Sequence, residues 1–245
     1  MLFWETMKER YVVATIKKWN IKIFEEKIKK LKGEWYLITD PMDLNLGKIE
    51  YISPKYIFFP HWSKKVPKEI VSNYECVCFH ETDLPFGRGG SPIQNLIYNG
   101  YRETVITAFK MTENLDDGPI YIKRKLCLEG LAEEIFIRAA KVIAEMIEYI
   151  ITHNPTPKPQ QGKVTIFKRR KPEESNILLS DKLKNLEDLF DFLRMLDAET
   201  YPKAFFEVNG FKFEFSRPAL RTDFIEADVK ITKIKGSEDD RNKKI

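Results

Sequence analysis

Cysteine and histidine are scarce in this chain, each occurring three times in 245 residues. Cys76 and Cys78 stand close together and Cys127 far along the chain, which makes no disulfide framework and points to a reducing, cytoplasmic compartment. Long apolar runs are missing as well. The most apolar stretch, residues 135–151, contains Arg138, Lys141, Glu145 and Glu148, which a membrane-spanning helix would not tolerate. The first ten residues lack the apolar core of a signal peptide. Nor is one sign of charge in surplus: 41 basic and 37 acidic residues, interspersed through most of the chain, leave a net charge of +4. That balance weighs against a dedicated nucleic-acid binder and fits a protein that handles small anions.

What is present is an ordinary globular composition, 43% hydrophobic and 32% charged, with 17 Phe residues that call for an aromatic core or an aromatic-lined pocket. The length suits one sizeable domain, or one domain with a small appendage. The first half alternates strand-like and helix-like segments. Residues 11–16, 35–39, 56–59 and 76–80 read as strands. Residues 20–32 carry apolar side chains at helical spacing and stop at Gly33, and 67–73 reads as a short helix. Such alternation predicts an open α/β sheet that is largely parallel, with ligands outside the carboxyl ends of its strands. Ser91-Pro92 starts a helix that ends at Gly100. Strands over 105–111 and 119–127 follow, joined by a turn, and then a long helix over 131–153.

Residues 154–162, with three prolines, favour extended backbone and mark a boundary. Beyond it the sequence predicts a strand over 163–168, a helix over 185–196 and a hairpin. Asn209-Gly210 suits a type I′ turn, and Phe211, Phe213 and Phe215 alternate with charged residues. The last ten residues are polar and read as a frayed end.

The three histidines differ in setting. His153 closes the long helix, where solvation or a charge–dipole contact accounts for it. His61 lies between Pro60 and Trp62 at a strand end. His80 ends a buried strand and opens a loop, residues 83–92, with three glycines and Arg88 leading into a helix. That loop either lets backbone N–H groups approach an anion or is a flexible connection whose Arg88 caps a neighbouring carbonyl. Cys76, Cys78 and His80 share one strand face, but ligands along one extended strand rarely converge on a tetrahedral centre, so no metal is expected. Asp116-Asp117-Gly118 reads locally as a turn. Beside an imidazole, its carboxylate would orient the ring and favour the protonated form.

Residues 79–92, with His80, a short polar stretch, Leu84-Pro85, Arg88-Gly89 and Pro92, resemble the signature of folate-dependent formyltransferases. Leu115-Asp116-Asp117-Gly118-Pro119-Ile120 resembles that family's second signature, in the expected order and separation. A looser resemblance covers residues 11–153 and resumes at 194–197 and 201–205. The wording of 83–97 and 167–175 is most similar to the sugar-nucleotide N-formyltransferases and the formylation domain of nonribosomal peptide synthetases.

The resemblance implies a Rossmann-like, mostly parallel α/β fold with flanking helices and a small C-terminal α+β region bearing a hairpin. Residues 1–154 would form the catalytic domain, 155–162 a Pro-rich linker and 163–245 the C-terminal region. It implies formyl transfer from 10-formyltetrahydrofolate, without metal, to the amine of a nucleotide-linked amino sugar of the 4-amino-4,6-dideoxy hexose type used in surface glycans. No nucleic-acid or membrane partner is expected, and the hairpin would serve a homodimer contact or wall the acceptor pocket. His80 would be the general base and proton shuttle, with Asp116 holding its imidazole. Cys78 occupies the position where the family usually carries the Asn that stabilises the oxyanion, and a thiol is a weak donor. Phe58, Phe59, Leu84, Glu113, Asn114, Leu115 and Asp116 would bind the folate, and Trp62, Phe86, Arg88 and Gly89 the acceptor. Two alternatives stand beside this reading. A methionyl-tRNA formyltransferase is disfavoured by the short C-terminal region, about ninety residues of mixed charge. A non-catalytic folate- or nucleotide-binding relative draws support from Cys78.

Overall fold

The computed structural model describes residues 8–199 and 201–234, so the polar last ten residues read as a frayed end lie outside the described residues. The chain divides into two compact units. One takes residues 8–92, 103–127 and 136–167, and the other takes 93–102, 128–135 and 168–234.

In chain order, the elements up to the Pro-rich segment are β1 (Arg10–Ala14), α1 (Lys18–Glu26), β2 (Glu34–Ile38), α2 (Leu46–Ile52), β3 (Tyr56–Phe59), α3 (Lys68–Asn73), β4 (Cys76–His80), β5 (Arg88–Gly89), α4 (Pro92–Tyr98), β6 (Glu103–Lys110), β7 (Ile120–Cys127) and α5 (Ala132–His153). The first unit is built on a six-stranded sheet of order β2-β1-β3-β4-β6-β7. The pairings among β2, β1, β3 and β4 are parallel, while β6 and β7 run antiparallel. The sheet is therefore mostly parallel, as the alternation of segments predicts. β1, β3 and β4 are continuous apolar runs because both faces are covered, and Val12, Val13, Ile57, Phe58 and Phe59 are fully buried. One face holds an aromatic group in which Phe58 packs against Trp35, Tyr56 and Phe79. Phe59 belongs to a separate core cluster with Val12, Ile38, Ile49 and Ile70.

α5 buries Ile135, Phe136, Ala139, Ile143 and Ile147 and leaves Lys141, Glu145 and Glu148 exposed. No helix among the described residues is long and apolar enough to cross a membrane. α2 was not anticipated from sequence. It is one short helix containing Gly47, and its only local signals are the Asn45 cap, which accepts from the Lys48 N–H at 3.0 Å, and the buried Ile49 and Ile52.

The predicted strand over 163–168 narrows to β8 (Ile166–Phe167), which pairs in parallel with β5. The second unit adds α6 (Leu186–Arg194), β9 (Phe205–Val208), β10 (Phe211–Leu220) and β11 (Ile225–Lys233). These three strands form an antiparallel sheet of order β11-β10-β9. Asn209 and Gly210 both take positive φ, 49° and 80°, as a type I′ turn requires. Phe206 stacks on Phe213 at 4.9 Å across the hairpin. β11 went unpredicted because its alternation is that of a half-exposed strand whose apolar residues, Val229 and Ile231, face out.

The second unit is tied together by a buried charge. Arg194, fully buried at the end of α6, donates to Asp191 Oδ1 at 2.6 Å and to the carbonyls of Leu128 and Gly130. Arg102 reaches the same Asp191 oxygen at 2.8 Å. Removing Asp191 strands the Arg194 cation in a low-dielectric site, so Asp191→Ala is expected to cost about 3–5 kcal/mol. The check is the urea midpoint at constant slope. A loss below about 1 kcal/mol would mean that the two carbonyls alone suffice for the guanidinium.

Candidate active site

In the first unit the connections run from β1 to β2 on one side and from β3 to β4 on the other. Sheets of this kind bind ligands at such a reversal, outside the carboxyl ends of the strands. The residues that end β1, β3 and β4 there are Thr15, Pro60-His61 and His80-Glu81.

His80 Nε2 lies 2.8 Å from the Gly87 carbonyl. A carbonyl only accepts, so Nε2 carries a proton, and in the neutral ring Nδ1 holds the lone pair. Asp116 Oδ2 stands 4.0 Å from that Nδ1, too far for a direct hydrogen bond and an ion pair only when the ring is protonated. The two signature residues are thus brought together across the sheet edge.

Asp116 is fixed from several sides. Its backbone is left-handed, with φ 50°. Gly89 N–H donates to Oδ2 at 2.8 Å, and Gln160 Nε2 donates to the carbonyls of Asp116 and Gly118 at 2.8 and 3.0 Å. Gln160 is aligned in turn by Arg88, whose Nη2 donates to Oε1 at 2.7 Å. The turn needs Gly118 because a Cβ there would fall 1.7 Å from the Lys110 carbonyl oxygen.

The Gly-rich loop is more ordered than its composition implies. Gly87 N–H donates to Thr165 Oγ1, Arg88 N–H to the Thr165 carbonyl and Gly90 N–H to the Phe167 carbonyl. With Gly89 given to Asp116, all four N–H groups are engaged within the protein. The anion this loop holds is the protein's own carboxylate. Gly89 has φ 108°, and a Cβ there would meet the Phe167 oxygen at 2.4 Å.

Cys78 lies beside Phe59 on β3 and Phe109 on β6, with Sγ 3.9 Å from the Phe59 carbonyl. Burial, and then the charges of Asp116 and Glu81, push its thiol up, so it stays a neutral S–H. The side chains of Phe58, Phe59 and Leu84 are fully buried. Around the 113–116 turn, Glu113 pairs with Lys68 at 3.1 Å, Asn114 donates to Asp117 at 2.8 Å, and Leu115 is 67% exposed. Phe86 packs edge-on against Phe167 at 5.5 Å. Trp62 packs edge-on against Phe59, and its buried indole N–H has no acceptor among the described residues. No cluster of metal-ligating side chains occurs among the described residues.

Sequence reasoning missed three participants. Gln160 sits in the segment read as a linker, which instead runs along this unit, and Lys158 there bonds to Ile120 in both directions. His61 and Glu81 form a second, buried histidine–carboxylate pair with Nε2 and Oε1 2.8 Å apart. Burial would raise the Glu81 carboxyl, but His61 and, less strongly, His80 outweigh it and hold it below its ordinary 4.5. The available signal was the place of both residues at strand carboxyl ends.

Comparison with known proteins adds to this geometry. Residues 42–131 match the family described as formyl transferase, and residues 172–232 match the methionyl-tRNA formyltransferase C-terminal domain. A solved methionyl-tRNA formyltransferase from Clostridium thermocellum is 47% identical, with TM-score 0.88, over 92% of this chain and 99% of that one. A methionyl-tRNA formyltransferase from Thermodesulfovibrio yellowstonii is 29% identical over 59% of this chain and 49% of its own length. The chain thus spans about half the length of that curated relative. A sugar N-formyltransferase from a Shewanella species shares 17% identity at TM-score 0.62 over 88% of this chain and 99% of that one, a likeness of fold alone.

These findings correct the expected acceptor. The nucleotide-linked amino sugar, and with it the absence of a nucleic-acid partner, gives way to the 47% identical relative and to the C-terminal match. The two arguments that misled were whole-chain charge and C-terminal length. A net charge averages out local basic runs such as Lys168-Arg169-Arg170-Lys171, and the short second unit is itself the part that matches at 172–232.

Two outcomes follow from the site. Gly89→Ala forces a side chain into the Phe167 carbonyl at a backbone angle that L-residues avoid, so it should cost about 1–3 kcal/mol and release Asp116. Thermal unfolding of the variant measures this, and an unchanged midpoint would contradict the fit. Glu81 has a folded-state carboxyl below its unfolded value, so its stabilisation is present above about pH 4.5 and is lost as pH falls through the lower, folded value. Glu81→Gln should therefore flatten the acid limb of stability. Urea titrations from pH 7 to pH 3 that run parallel in both proteins would count against it.

Proposed function

The chain belongs to the folate-dependent formyltransferase family, and on that premise we propose that it moves a formyl group from 10-formyltetrahydrofolate to the α-amine of methionyl-tRNA in the cytoplasm. The observation that carries the acceptor is the 47% identity to a methionyl-tRNA formyltransferase over nearly the full length of both chains. The unbridged Cys76 and Cys78 are consistent with the compartment.

The donor supplies the formyl carbon and leaves as tetrahydrofolate. The residues at the carboxyl end of the sheet suit it: the apolar Leu115 at the turn tip, and the Trp62 indole N–H, which has no acceptor among the described residues. The chain's own part is to manage protons and charge. An attacking amine must lose a proton as its nitrogen bonds to carbon. In the neutral ring, whose Nε2–H is given to Gly87, His80 Nδ1 is the acceptor for it. The imidazolium that results is doubly anchored, by the Gly87 carbonyl and by Asp116 at 4.0 Å. Asp116 stays in place throughout because Gly89 and Gln160 hold it. Return of the proton to the departing nitrogen restores His80.

The test is formation of formylmethionyl-tRNA with matching release of tetrahydrofolate. His80→Ala is expected to lower turnover by about 10²-fold or more while folate affinity is retained. Wild-type protein that binds folate yet formylates no charged initiator tRNA would overturn the acceptor, and a His80→Ala variant of undiminished rate would overturn the mechanism.

A further inference from the structure

Thr165, just before β8, has no part in the chemistry above, yet all three of its polar groups are spent on the Gly-rich loop. From Gln161 to Ile166 the chain is exposed except at Thr165, which is half-buried. Its N–H donates to the Pro85 carbonyl at 3.2 Å and its carbonyl accepts from Arg88 N–H at 3.0 Å. Its Oγ1 accepts from Gly87 N–H at 2.7 Å. The two main-chain bonds extend the parallel β5–β8 pairing and would form with any residue that keeps its N–H. The hydroxyl bond does not belong to that ladder. It falls on Gly87, whose φ is 71° and where a Cβ would come within 2.8 Å of the Phe167 ring and 2.9 Å of the Thr82 methyl. Glycine is required there by space, and glycine holds its backbone angles least firmly of all residues.

The Gly87 carbonyl decides the state of His80. A neutral imidazole has one N–H, and two acceptors compete for it: the Gly87 carbonyl, 2.8 Å from Nε2, and Asp116 Oδ2, 4.0 Å from Nδ1. The carboxylate, being charged, is the stronger acceptor of the two. If Gly87 were free to turn, its carbonyl would release Nε2, and a small ring rotation would settle Nδ1–H on Asp116. The lone pair would then lie on Nε2, on the Gly87 side of the ring, and Nδ1 could accept nothing. The Gly87 carbonyl and the Arg88 N–H belong to one planar peptide unit and point in opposite directions. Binding that N–H to the Thr165 carbonyl therefore aims the Gly87 oxygen at His80. The hydroxyl bond fixes the preceding peptide unit, so Gly87 is held on both sides. Thr82 Oγ1 stands 3.4 Å from the same oxygen, too far to hold it alone. We propose that Thr165 is a positioning residue: by bracing Gly87 through its hydroxyl, it keeps the proton of neutral His80 on Nε2 and the lone pair on Nδ1.

The inference rests on the reading above for the use of Nδ1 as the base, but its first readout needs no formyl transfer. The full-length protein, grown with isotopically labelled histidine, carries three imidazoles, and the His80 ring signals are those lost in His80→Ala. At the alkaline end of a titration, where the ring signals no longer move, the nitrogen chemical shifts report which nitrogen is protonated. Wild-type His80 should show the Nε2–H form. Thr165→Val keeps the branched shape and removes the acceptor oxygen. It should move a large part of His80 to the Nδ1–H form and lower kcat about tenfold, the worth of one hydrogen bond, with KM little changed for either substrate. Thr165→Ser keeps the hydroxyl and should match the wild type in both readouts. A brace that served stability alone would lower the unfolding midpoint of Thr165→Val and leave tautomer and kcat unmoved, which overturns the proposal. If Thr165→Val does not fold, Thr165→Ala removes the same oxygen and must show the same two changes. A displaced tautomer in a protein whose wild type formylates no tRNA leaves this assignment standing and removes the proposed acceptor instead. A displaced tautomer with undiminished kcat removes Nδ1 as the base and overturns the positioning role.

Discussion

The carboxylate of Asp116 is the constraint on which the rest of the site depends. A half-exposed turn would ordinarily leave such a group in water, where its effect on a neighbouring imidazole is weak. Here the group is drawn in and must be compensated. The Gly89 N–H does so directly, and Gln160 fixes the backbone that carries it. For Gly89 to point there, its neighbours in the Gly-rich loop have to be zipped to Thr165 and Phe167, which brings the chain after the Pro-rich segment back along the first unit. For Gln160 to reach, that segment has to be extended and bonded to Ile120. One carboxylate thus organises three stretches far apart in sequence.

Much of this was legible in the sequence because it is local. The continuous apolar runs that became β3 and β4, the Ser91-Pro92 helix start and the Asn209-Gly210 turn are written in adjacent residues. His80 and Asp116 were found because each lies in a short recognisable run. What was not legible is what depends on long-range pairing. Nothing in Pro159-Gln160-Gln161 distinguishes a linker glutamine from one that braces an active-site turn. Nothing near Phe167 announces that two residues, rather than six, would pair with the Gly-rich loop. The acceptor was misread for a related reason: charge and length are sums over the chain, whereas recognition of a large polyanion is set by local faces.

The two histidine–carboxylate pairs show how identical groups are given different work by single hydrogen bonds. In His61 the Trp19 indole fills Nδ1, the ring proton is left on Nε2, 2.8 Å from Glu81 Oε1, and no nitrogen is left to accept one from a substrate. In His80 the Gly87 carbonyl takes the Nε2 proton, and Nδ1 faces a carboxylate at a distance that leaves room for a proton to arrive. A backbone carbonyl in one case and an indole in the other decide which nitrogen each neutral ring leaves with a lone pair. The sequence places both rings at strand ends and cannot rank them, since the deciding partners, Trp19 and Gly87, lie on different elements. The difference follows from donor and acceptor inventory alone.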